Sequence, residues 1–428
     1  METNKKLQSG ETVIIIGAGA AGLIAARQLS DAGMKVIVIE ARSFPGGRMH
    51  TLREPGFSIP VEAGAEFIHG ELPITLGLLQ EAGIEFSAIA GEMKTVRSGK
   101  WIPDDPMNES WDELMAKMKE AKEDMTIDAF LMQHFSDPKY AKLRDGVKRF
   151  AEGFDLADTN KASMLALKQE WENGFEEEQY RITGGYILLA EYLVDCCRKN
   201  NVEFYFSAEV TEISWSSNRV TVITRESKFE GTKTLVTVST GIMQSGKIRF
   251  IPEPHAALQA YANIGNGSVI KFMLEFNDAF WRDELKDAGF VLSDEPVPTW
   301  WTQGPGDSKL LSGWLGGPSV LQRSSLPGDE LLDLALKSLS AIFHVPAKDL
   351  QQKLVKSKIV DWTNHPISLG GYSYSLPQSA EAKKVLNTPI EDTIFFAGEA
   401  LYSGDAPGTV EAALSSGEQA AVRVLGSQ

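Results

Sequence analysis

Gly17, Gly19 and Gly22 form the spacing G-x-G-x-x-G between a β-branched run, Thr12–Ile16, and an Ala/Leu-rich stretch that stops near Gly33. Glycines so spaced allow a tight turn, close approach of the backbone to a pyrophosphate, and close packing of the helix that follows. Ala20 and Ala21 lie between them, at the start of that helix, where N–H groups and a partial positive charge favour phosphate. Glu40 ends the next apolar run about 20 residues on, where a carboxylate can accept both hydroxyls of a ribose. The unit reads as a dinucleotide site, and the fingerprint alone does not separate nicotinamide from flavin.

Other residues invite different chemistry. Ala41 and Arg42 follow Glu40, and a second glycine pair, Gly46 and Gly47, precedes Arg48, offering backbone contact and a guanidinium to a diphosphate. Lys271 stands in Ser-Val-Ile-Lys-Phe-Met-Leu, an apolar run where an ammonium costs free energy unless it finds a partner. Glu399 follows the run 393–397 and can accept hydrogen bonds from a cofactor chain. The helix opening at Gly408, Thr409 and Val410 can aim N–H groups at a ring on which negative charge grows. The six histidines are scattered, with no H-E-x-x-H and no C-x-x-C, so no metal site is expected. Absence of G-x-S-x-G removes the usual acyl-transfer nucleophile.

Positioning these residues takes a large fold, and 428 residues with 43% hydrophobic and 23% charged content supply one. A net charge of -16 argues against a nucleic-acid partner, which needs clustered Lys and Arg; it fits plain solubility or the concentration of cationic substrates. Cys196 and Cys197 are adjacent on a helical pattern and cannot easily reach disulfide geometry, which favours a reducing, cytoplasmic setting. Residues 1–11 carry no signal pattern, the longest apolar run, 13–26, is broken by three glycines, and the chain stops at Gln428 without an anchor, so no membrane association is expected.

The opening reads as strand, turn, helix, strand. Residues 110–151 are helical, with a stripe of Trp111, Leu114, Met115, Met118 and Met125 that reads as core packing. Strand patterns return at 202–206, 210–215, 219–224 and 234–238, then around 269–276, where Trp281, Trp300, Trp301 and Trp314 suggest a separate aromatic-rich sheet. A strand at 393–397 and a helix at 408–425 close the chain. The expected class is α/β and α+β: a discontinuous Rossmann-like domain from 1–90, 200–250 and 385–428, and a substrate-binding domain of mixed sheet plus helices from 91–199 and 251–384.

Motifs along nearly the whole chain resemble the flavin amine oxidase family of monoamine and polyamine oxidases. Glu40-Ala-Arg-Ser-Phe-Pro-Gly-Gly-Arg48 is similar to its E-A-R-x-x-x-G-G-R segment, and 61–70 to G-A-x-W-I-H-G, with Phe67 where Trp is usual. Residues 234–246 match a further motif, with Ser239 where proline is usual, and 264–272 match the segment bearing the active-site lysine. The stretches 362–374 and 395–413 resemble the two C-terminal flavin-contact motifs.

The resemblance implies FAD, and extends cofactor contact to Gly64, Ala65, Glu66, Val210, Trp362 and Gly398. It implies non-covalent attachment, because Gly371 stands where monoamine oxidases carry the cysteine bonded to flavin. Lys271 matches the lysine that holds a water against flavin N5, Tyr372 the tyrosine of an aromatic cage, and His69 a histidine facing substrate. Thr409 stands where monoamine oxidases place the second cage tyrosine.

The implied reaction is hydride transfer from the α-carbon of a small neutral amine to flavin N5, giving an imine, with oxygen reduced to hydrogen peroxide. An L-amino-acid oxidase, a desaturase or protoporphyrinogen-type oxidase, and a non-catalytic flavoprotein or part of a demethylase complex remain as alternatives. No Arg lies in 64–70 to meet an amino-acid carboxylate.

Overall fold

A computed structural model describes residues 11–89, 92–102, 108–173, 178–285, 288–303 and 308–426. The readings of residues 1–10 and of the terminus at Gln428 lie outside these. A five-stranded parallel sheet runs in the order Glu203–Tyr205, Lys35–Ile39, Thr12–Ile16, Lys233–Val236, Ile394–Phe396. Strands Lys35–Ile39 and Thr12–Ile16 are Val and Ile after their first residue because both faces are covered. Helices Ala20–Asp31, Ile187–Lys199 and Val410–Gly426 pack on one face, and the other meets a four-stranded sheet with helices His255–Ala262 and Ser379–Leu386. Helices Ile187–Lys199 and His255–Ala262, which lie within 91–199 and 251–384, and Ser379–Leu386, which crosses residue 384, pack their apolar faces with this sheet.

A second, seven-stranded sheet has the order Leu354–Asp361, Val269–Phe276, Leu310–Gly316, Thr299–Thr302, Ala288–Leu292, Glu92–Arg97, Lys100–Ile102. Every residue of Val269–Phe276 is buried, and its period-2 alternation divides the work. Ile270, Phe272, Leu274 and Phe276 pack with Leu331, Ala335 and Leu339 of the helix Gly328–Phe343. Val269, Lys271 and Met273 therefore face the opposite side, toward residues 52–66. Helices Asn108–Glu120, Ile127–His134, Ala141–Gly153 and Met164–Asn173 make a separate lobe whose core includes Leu114 and Met118, so the methionine stripe is packing. Among the described residues no helix is long and apolar enough to cross a membrane.

Candidate active site

A cavity of about 1560 Å³ runs from the glycine turn of the parallel sheet to the seven-stranded sheet and the helical lobe. This exceeds the roughly 300–1,000 Å³ of an ordinary small-molecule pocket, leaving room for a dinucleotide and a substrate together. At the glycine end, a Cβ at Gly22 would lie 2.0 Å from the Gly17 carbonyl, so the turn closes only without one. A Cβ at Gly19 would meet nothing within 4 Å; that side is open. Helix Ala20–Asp31 has no side-chain cap, which leaves its first N–H groups for a ligand. Glu40 is buried and accepts hydrogen bonds from the Ala18 (2.7 Å) and Arg42 (2.8 Å) amides, fixing the turn from both sides. Burial pushes its carboxyl above the usual range. An open backbone, a free helix terminus and a fixed carboxylate fit FAD.

Most of the residues expected to touch cofactor line this cavity, including Ala41, Gly46, Gly47, Gly64, Ala65, Val210, Trp362, Gly398 and Val410. Several side chains, however, are held by the protein itself. The Arg42 guanidinium donates to the Gly47 carbonyl (2.7 Å) and Ser368 Oγ (3.2 Å) and lies over the Trp362 ring. Arg48 donates to the Gly371 carbonyl and to Glu399 Oε1 (3.0 Å), while Glu399 also accepts from Ser373 Oγ (2.7 Å). These pairs tie the turn after Glu40 to the C-terminal segments, and Arg42, Arg48 and Glu399 all line the cavity. Trp362 donates its indole N–H to the Ala63 carbonyl at 2.7 Å.

At the other end Lys271 is 1% exposed, which excludes a solvated strand-edge lysine. Its Nζ donates to Glu66 Oε2 (2.8 Å) and the Gly64 carbonyl (3.0 Å) and lies 5.3 Å from the Trp301 ring centre. Glu66, expected as a cofactor contact, lines the cavity and is the counterion of this lysine. Its other oxygen receives Arg181 Nη2, Trp301 Nε1 and Gln303 Nε2, each at 2.9 Å. Burial alone would raise this carboxyl, but Lys271 and Arg181 outweigh it and hold it down to about 2.

Tyr372 faces the cavity, its hydroxyl donating to the Phe154 carbonyl. Thr409 lines the cavity too, but its hydroxyl donates to the Ala406 carbonyl (2.7 Å) and accepts from the Ala412 amide (3.1 Å), capping the last helix. His69 borders the cavity between Phe67 and Phe154, and burial lowers its imidazole to about 4, so it is neutral at pH 7. Not anticipated from sequence is Asp155, which accepts from Trp171 Nε1 (3.1 Å) and faces Glu170 on the cavity wall. Burial raises both carboxyls, Glu170 to about 7, and the pair keeps a proton near neutrality.

The sequence profile described as flavin containing amine oxidoreductase matches residues 20–425. Among curated proteins, a lysine-specific histone demethylase 1 homolog 3 of Arabidopsis thaliana is 27% identical across 96% of this chain, which spans only 30% of that protein. A homolog 1 from the same plant is 26% identical, with 52% of its length spanned. Polyamine oxidase 4 of Oryza sativa subsp. japonica is 25% identical over 97% of this chain and 89% of its own. The fold is that of putrescine oxidase (TM-score 0.82, 20% identity, 97% and 99% of the two chains covered) and of cyclohexylamine oxidase from Brevibacterium oxydans (0.80, 22%, 97% and 98%).

Proposed function

The chain belongs to the flavin-containing amine oxidoreductases, whose membership implies FAD, and on that footing we propose that it oxidises a small amine to an imine. When bound, FAD supplies the two-electron acceptor for the hydride leaving the carbon beside nitrogen, and dioxygen takes up both electrons with two protons as hydrogen peroxide. The turn 17–22, Glu40, and the opening of the last helix are the parts of this chain that hold it. Attachment is non-covalent: a side chain at Gly371 would meet Leu156 Cδ1 at 2.7 Å and Val269 Cγ1 at 2.8 Å, leaving no room for a tethering cysteine.

The observation that carries this reading is the Lys271–Glu66 pair, a buried nitrogen held fast in the cavity wall. Glu66 stays ionised across the physiological range and keeps Lys271 Nζ at one place on the cavity surface. From there Nζ can order a water and stabilise charge at the reacting end. Tyr372 orients the amine with its ring, since its hydroxyl is spent on Phe154. Neutral His69 adds no charge that would repel a protonated substrate.

Peroxide formation by purified protein with monoamines, diamines, polyamines, amino acids and an N-methyl-lysine peptide tests the proposal. Peroxide with one amine class supports it, and none with any class in an FAD-loaded preparation refutes it. The peptide arm separates a demethylase-like substrate, which the plant relatives suggest, from a free amine.

A further inference from the structure

Strand Leu310–Gly316 pairs antiparallel with Val269–Phe276 in a register that sets Trp314 directly across from Lys271. Directly opposed residues leave a sheet on the same face, so Trp314 shares the cavity face with the lysine. It is also linked to it through Trp301, whose ring lies 6.3 Å from that of Trp314. On its far side Trp314 lies nearly parallel to Tyr372, with ring centres 6.3 Å apart at 18°. Both rings are moored at their polar tips to neighbouring carbonyls of one short segment. Trp314 Nε1 donates to Gly153 at 2.8 Å, and the Tyr372 hydroxyl to Phe154.

That segment is itself locked. Leu156 is buried at φ 56°, a left-handed conformation unusual for a branched apolar residue, and packs with Val269, Trp362, Trp314 and Tyr372. Asp155 beside it is pinned by Trp171. The two rings are thus fixed in orientation while their cavity-side surfaces stay available, as Trp314 is only half-buried. Thr409 offers no aromatic surface, and its hydroxyl is committed to the helix cap.

We propose that Trp314 contacts the amine substrate together with Tyr372 and that the pair sets specificity for alkyl and aryl amines lacking a carboxylate beside the nitrogen. Aromatic faces attract an amine or its cation and give a carboxylate nothing to bind. The inference rests on the amine-oxidase reading above.

The test uses holoenzyme and butyltrimethylammonium, which has no N–H bond and no lone pair, with binding read from the flavin absorption band. Trp314→Met fills space without a ring face, and Trp314→Phe restores the face. Trp314→Met should weaken probe binding about tenfold and raise KM for butylamine more than it lowers kcat, while Trp314→Phe stays within about threefold of the parent. The parent should also prefer butylamine to norvaline, the same chain with a carboxylate. An FAD-loaded Trp314→Met that binds the probe as the parent does, or a parent that prefers norvaline, overturns the inference. If Trp314→Met does not fold, Trp314→Leu and the norvaline comparison decide in the same sense. A parent that oxidises no amine at all overturns the amine-oxidase reading, and this inference with it; a parent active on amines but indifferent to Trp314→Met overturns the inference alone.

Discussion

At the glycine end of the cavity, the contact that shapes the turn joins Ala18 to Glu40, 22 positions apart, whereas at the lysine end Glu66 meets Lys271 across 205 positions and Phe154 meets Tyr372 across 218. One end is a local motif that presents backbone and an uncapped helix start to the cavity. The other is a set of side chains from both sheets, the helical lobe and the C-terminal segments, each held by a partner from elsewhere. Damage at the first should weaken cofactor retention and leave chemistry intact; damage at the second should spare retention and strike turnover.

Lys271→Met carries the largest expected effect. The variant should keep FAD, since Lys271 contacts nothing at the glycine turn, yet lose roughly 10²–10⁴-fold in flavin reduction, reoxidation or both. Stopped-flow traces with a good amine, then with oxygen, separate the two half-reactions; parent-like rates in both would make Lys271 structural. Glu66 would still have Arg181, Trp301 and Gln303, so thermal unfolding should show a folded protein.

Glu40→Ala is the opposite case. Loss of a charged acceptor costs about 1.5–3 kcal/mol, roughly a 10- to 150-fold weaker FAD dissociation constant, measured by titrating apoprotein with FAD. Turnover at saturating FAD should stay near that of the parent. A variant that retains FAD fully but loses turnover would erase the contrast between the two ends.

A smaller effect is expected from Gly371→Cys, which should destabilise the fold by about 1–3 kcal/mol through overpacking against Leu156 and Val269. It should still release free FAD on denaturation. Flavin remaining with the acid-precipitated polypeptide would show that the position has room after all.

The smallest signal is a pH slope. Burial lifts Glu170 from 4.5 to about 7, so between these values the folded state holds a proton that the unfolded chain has released. Stability from this group is therefore present at low pH and falls as pH rises through that window. Glu170→Gln does not titrate and should flatten the slope of denaturation free energy against pH there. An unchanged slope would place the proton elsewhere.

The same division explains what the sequence reveals. The glycine turn, Glu40 and both bounds of the buried lysine strand are readable because each is written in adjacent residues. The Glu66–Lys271 pair goes unseen because nothing in 61–70 announces Lys271 as a partner. Thr409, three residues before Ala412, carried a helix-cap signal that competed with its place in a flavin motif. Strand Leu354–Asp361 goes unseen because it lies at a sheet edge, where half-buried Lys and Ser interrupt the apolar alternation. Tryptophans 300, 301 and 314 mark an aromatic sheet, but only the register shows that Trp314 shares a face with Lys271.

Mixing FAD-loaded protein with an amine in the absence of oxygen tests the central claim most directly. The visible flavin band should bleach, and admitting air should restore it with one hydrogen peroxide formed per flavin. A band that persists with every amine class offered would contradict amine oxidation at this site.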